Sequence, residues 1–202
     1  DSVGVGKGAL NDNTTGSYNT ALGYLALSNN TTANFNTAIG RLSMITNTTG
    51  ASNTTLGAGA LQLNTTGSNN VALGADALVQ NTTGNDNVSV GKQALDANTT
   101  GGGNAALGSG ALAANTTASS NTGIGYNALL VNTTGTNNVA VGSNALDANT
   151  TASNNVGIGR NAAGNTTTGS ENVAIGTNAL LANTTGATNV AVGIYALNAN
   201  TT

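Results

Sequence analysis

The chain has 202 residues, of which 5% are charged, 2% aromatic and 38% apolar, with 29 Gly, no Pro, Cys, His or Trp, and a net charge of -3. Ordinary globular domains carry about 25% charged residues, and disordered chains pair low hydrophobicity with high net charge, so neither class fits. Without His or Cys, and with only seven carboxylates, the chain lacks the paired titratable groups of acid–base catalysis and the ligand sets of a metal centre, so no enzyme, metal site or cofactor is expected.

Read from Asp1, the sequence is twelve copies of one 17-residue unit, in register with no insertion or deletion. A clear copy is NNVAVGSNALDANTTAS, residues 137–153; the last copy starts at Thr188. A short fixed period marks an array whose units bury apolar surface only by stacking, which makes 1–202 one continuous domain. Neither end carries an atypical capping unit, so a segment of a longer array is expected. No apolar run reaches the length of about 18 residues that spans a membrane as a helix.

Taken along the unit as columns 1 to 17, the first element is a strand. Column 5 is always Val, Ile or Leu, column 4 only Gly, Ala, Ser or Thr, and column 6 Gly in all twelve copies. The period-two alternation from column 3 predicts a strand with columns 3 and 5 on the core face and columns 4 and 6 on the other. A Gly beside β-branched residues in every unit disfavours a helix. Column 7 holds all four basic residues, Lys7, Arg41, Lys92 and Arg160, so Gly at column 6 is expected to bend the chain and turn column 7 to solvent. Column 10, Leu except at Met44 and Ala163, is expected to return to the core from a second short strand. The predicted fold is an all-β parallel β-solenoid, one coil per 17 residues, twelve coils about 57 Å long.

The stretch Asn172, Val173, Ala174, Ile175, Gly176 and Ala179 resembles the head repeat of trimeric autotransporter adhesins, the YadA-like β-roll, and the related N-T-A-x-G-x-x-A-L repeat fibres of bacteria and phages. The resemblance implies a left-handed roll, an extracellular, cell-surface or phage fibre, a homotrimer or filament bundle, Val and Ile inside each roll, and small residues where rolls meet. The departure from the family is the added Asn-Thr-Thr-Gly segment. On this reading columns 4 and 6, exemplified by Ala140, Gly142, Ala174 and Gly176, form an association stripe along the rod.

Two amide columns remain. Column 2, Asn19, Asn36, Asn53, Asn70, Asn87, Asn104, Asn121, Asn138, Asn155, Asn172 and Asn189, is expected to form a stacked ladder. Every copy also contains Asn-Thr-Thr, at Asn13, Asn30, Asn47, Asn64, Asn81, Asn98, Asn115, Asn132, Asn149, Asn183 and Asn200 in column 13, and at Asn165 one place early. Each matches the N-glycosylation acceptor pattern, and the same string also suits a turn. An outward Asn would carry a glycan coat, whereas an inward one would be a second ladder exposing the Thr of column 14.

The Gly content suggests phosphate binding, but no G-x-x-x-x-G-K-[ST] occurs. Four scattered basic residues on an acidic chain do not make a nucleic-acid track. The expected function is the structural shaft of an extracellular filament. The alternatives are an adhesin head module and an ice-binding solenoid presenting columns 13 and 15 as an N-x-T row.

Overall fold

The computed structural model describes residues 1–201. Twelve three-residue strands, one per unit, run from β1 (Val3–Val5) to β12 (Val190–Val192). They form one parallel sheet in sequence order, with each column paired to itself, as in Val139↔Val156, Ala140↔Gly157 and Val141↔Ile158. The chain is therefore the expected β-solenoid of one coil per unit, with no helix among the described residues. Among the described residues no helix is long and apolar enough to cross a membrane.

Coil-to-coil bonds continue beyond the strand. Around column 10, Leu112 N donates to Ala128 O at 2.9 Å and Ala114 N to Leu130 O at 3.0 Å, although this side is a chain of turns and not a second strand. The turns come from left-handed residues recurring at columns 1, 8 and 10, for example Asn137 (φ 57), Asn144 (φ 54) and Leu146 (φ 50). Broken alternation lets the consecutive columns 9 and 10 both face inward, as Ala145 and Leu146 do. A left-handed Leu costs about 1–2 kcal/mol, which full burial of its side chain, about 1.5–3 kcal/mol, offsets.

The strand faces the opposite way from the sequence expectation. Column 4 is buried in coils 2 to 12, as at Ala72, Ala140 and Ala174, whereas column 5 is exposed at Leu107 (48%), Ile124 (37%) and Ile175 (38%). The reason is the thinness of the roll. A Cβ on Gly123 would lie 3.2 Å from the Ala128 carbonyl and 3.2 Å from Leu112 Cγ, so the space opposite the strand admits a methyl or hydroxyl and nothing larger. The Leu or Met of column 10 is the large side chain of the interior, packed with the small residues of columns 4 and 9, and Val and Ile of columns 3 and 5 turn outward.

That orientation removes the association stripe. Ala140 and Ala174 are fully buried, and Gly142 and Gly176 serve contact between coils within one chain. A Cβ on Gly142 would lie 2.6 Å from the Gly159 carbonyl oxygen, and one on Gly176 2.5 Å from that of Gly193. The φ of these glycines, 134° and 129°, is itself one that L side chains rarely adopt.

Buried hydroxyls are partnered where they replace apolar residues. Ser43 takes the Ala place of column 9 and Thr55 the small place of column 4 in the next coil, and their hydroxyls meet at 2.6 Å. Ser89 Oγ donates to Ala94 O at 2.7 Å.

Candidate functional site

With the interior closed, chemistry can reside only on the surface columns. Column 2 is the expected ladder: Asn138 N donates to Asn121 Oδ1 at 3.0 Å, and Asn138 Nδ2 to Ala152 O at 2.8 Å. From Asn19 through Asn172 these side chains are buried; Asn189, in the last coil, is half-buried.

Column 13 is a second ladder. Asn30, Asn47, Asn64, Asn81, Asn98, Asn115, Asn132, Asn149 and Asn183 are fully buried. Asn81 Nδ2, for instance, donates to Asn64 Oδ1 at 2.9 Å and to Gly84 O at 3.0 Å. Nδ2 is the atom an N-glycan would occupy, and here its two hydrogens are already committed inside a roll with no room for a sugar ring. The acceptor reading of these nine positions is therefore overturned for the folded stack. Asn13 and Asn200, in the end coils, are half-buried, and Asn165 lies on the surface with Thr166 inside in its place.

The threonines that follow divide in role. Column 14 joins the scaffold: Thr82 Oγ1 donates to Thr99 O at 3.1 Å and Thr133 Oγ1 to Thr150 O at 3.0 Å. Column 15, including Thr83, Thr100, Thr117 and Thr134, is exposed, and among the described residues its hydroxyls make no hydrogen bond within the chain. The N-x-T row of columns 13 and 15 does not exist as a surface, because its Asn is inside. What remains is a single row of free hydroxyls and methyls.

The strand face is the second surface feature. Columns 3 and 5 hold only Val, Ile, Leu, Thr and Ala and carry no charge in any coil. Their large side chains all face outward, some half-buried, such as Val71, Val139 and Val141, and others exposed, such as Leu22, Leu56, Leu107 and Ile158. Sequence reasoning missed this face, although column 7, on the same side of the strand, gave the signal through its Lys and Arg.

Acidic groups stand apart from both features. Burial, and after it the charge of Asp76, raises the Asp96 carboxyl above the usual carboxylate range. Burial likewise raises that of Asp147, against two backbone hydrogen bonds that lower it. Among the described residues no three metal-ligating side chains gather and no pocket is enclosed. No family of proteins, curated protein or solved structure matches this chain.

Proposed function

We propose that the chain is the structural shaft of an extracellular or cell-surface fibre, of the kind its repeat resembles, with copies associating through the strand face. The observation that carries this reading is the uncharged, apolar face of columns 3 and 5, present in every coil. Soluble monomers rarely leave a continuous apolar strip of this length uncovered. A second copy is the occupant favoured, because only a surface with the same coil-to-coil rise stays in step with the face along its whole length. A homotrimer and a filament bundle both meet that condition.

Sedimentation of the full chain over a range of concentrations tests the reading. A defined assembly is expected, dissociated by Ile124→Lys with Val141→Lys while circular dichroism stays unchanged. A wild-type chain that remains monomeric throughout refutes the shaft built on this face.

A second reading, ice binding, is favoured by column 15 alone. Exposed columns 1 and 7 vary freely, whereas column 15 is Thr in every copy and, among the described residues, is exposed with no bond from its hydroxyl to explain it. A regular row of free hydroxyls and methyls on a stiff rod can order water. Thermal hysteresis abolished by Thr100→Lys with Thr117→Lys supports it, and its absence from the wild-type chain rejects it.

A further inference from the structure

We propose that the tenth coil, residues 154–170, is the yield point of the rod, the place where the stack opens first. In an array of this kind stability is close to a sum of coil and nearest-neighbour terms, so a coil that loses several terms at once localises opening. The tenth coil loses them in three independent places.

The core is the first. Column 10 carries a fully buried Leu or Met at Leu27, Met44, Leu61, Leu78, Leu95, Leu112, Leu129, Leu146 and Leu180, but Ala163 in this coil. Column 4 of the same coil is Gly157, where a Cβ would face Leu146 of the ninth coil, 3.0 Å from its Cγ, so the tenth coil supplies the core with one methyl where other coils supply a Leu or Met. Small residues at column 4 do not demand Ala at column 10, because the eighth coil combines Gly123 with a buried Leu129.

The ladder is the second. Thr166 occupies the interior place of column 13 and cannot supply the amide that the preceding Asn offers its oxygen to. Asn149 Oδ1 is consequently buried with no hydrogen-bond partner. On the other side Asn183 Nδ2 reaches Thr166 Oγ1 at 3.4 Å, where amide-to-amide steps such as Asn132 Nδ2 to Asn115 Oδ1 are 3.0 Å. A buried polar atom left unpaired favours any opening that lets water reach it.

The backbone is the third. Gly164, at column 11, is the only glycine of that column and loses more conformational freedom on ordering than any other residue would. Opening here frees the facing N–H and C=O groups of the ninth and eleventh coils and lets the rod bend without disturbing the rest of the stack.

Hydrogen exchange of the full chain, followed by mass spectrometry, tests the proposal. The internal control is the third coil, residues 35–51, as far from one end of the chain as the tenth is from the other. Peptides of the tenth coil should exchange at least about tenfold faster than those of the third. Ala163→Leu with Thr166→Asn should remove the difference. Leu95→Ala with Asn98→Thr should create a second fast segment in the sixth coil. Equal exchange of the third and tenth coils in the wild-type chain overturns the proposal, as does a folded repaired variant whose tenth coil still exchanges fast.

Discussion

Asn36 and Asn47 both donate to one carbonyl, that of Gly50, each from Nδ2 at 2.9 Å. One amide comes from the entry to the strand and the other from the corner that closes the coil, so a single backbone oxygen ties the two ladders together. Both ladders also bond along the rod, Asn53 N to Asn36 Oδ1 at 2.9 Å and Asn64 Nδ2 to Asn47 Oδ1 at 2.8 Å. Replacing Asn81, the equivalent of Asn47 two coils on, by Ala strands Asn64 Oδ1 and removes one of the two acceptors of Asn98 Nδ2, leaving it the Gly101 carbonyl. A loss of about 2–4 kcal/mol is expected in chemical denaturation, at about 1–3 kcal/mol per stranded group. Asn165→Ala, at a surface position, should change stability by less than about 0.5 kcal/mol.

The orientation of the strand gives a paired test. Leu129→Asp buries an unpaired charge in the thin core and should cost more than about 4 kcal/mol, opening the stack locally. Ile124→Asp, five residues earlier, lies on the outer face and should leave the coil folded while weakening association. Circular dichroism and sedimentation on the same samples separate the two effects. If Ile124→Asp unfolds the chain as severely as Leu129→Asp, the face assignment is wrong.

Repeat length, strand position, parallel register and the column 2 ladder were all legible in the sequence, because period and side-chain type fix them directly. Which face of the strand is inside was not. Bulk argued for Val141 inside and Ala140 outside, but the usable signal was size complementarity with Leu146, since a roll closed by a buried Leu has room for only a methyl opposite. Period-two alternation already placed Val141 on the side of Lys92 and Arg160 in column 7, and that charge outweighs the pull of the apolar residues. The inward turn of Asn81 was one of two open readings, and only the Gly84 carbonyl, aimed at its amide, decides between them.

Column 6 predicts a contrast between identical substitutions. Gly125→Ala would set a Cβ 2.5 Å from the Gly142 carbonyl oxygen, in addition to its unfavourable φ of 134°. At Gly193, in the last coil, the nearest atom to such a Cβ is Ala196 Cβ at 4.0 Å, and only the backbone strain remains. Gly193→Ala should therefore cost about 1–3 kcal/mol, and Gly125→Ala clearly more. Equal losses in thermal unfolding would mean that backbone conformation, and not coil-to-coil contact, keeps the column as Gly.

The raised carboxyls of Asp96 and Asp147 give a pH dependence of definite sign. A carboxyl whose folded pKa lies above its unfolded value is protonated more readily in the folded chain, so folding binds protons as the unfolded form releases them. The stability is full below the unfolded Asp value, about 3.9, and is lost as pH rises from there through the raised folded value. Both groups are only partly buried, and the effect is correspondingly screened. Asp96→Asn and Asp147→Asn should each raise the neutral-pH denaturation midpoint and have little effect well below pH 3.9. A midpoint that rises equally at both pH values would show that the gain comes from the amide's own hydrogen bonds and not from relief of a buried charge.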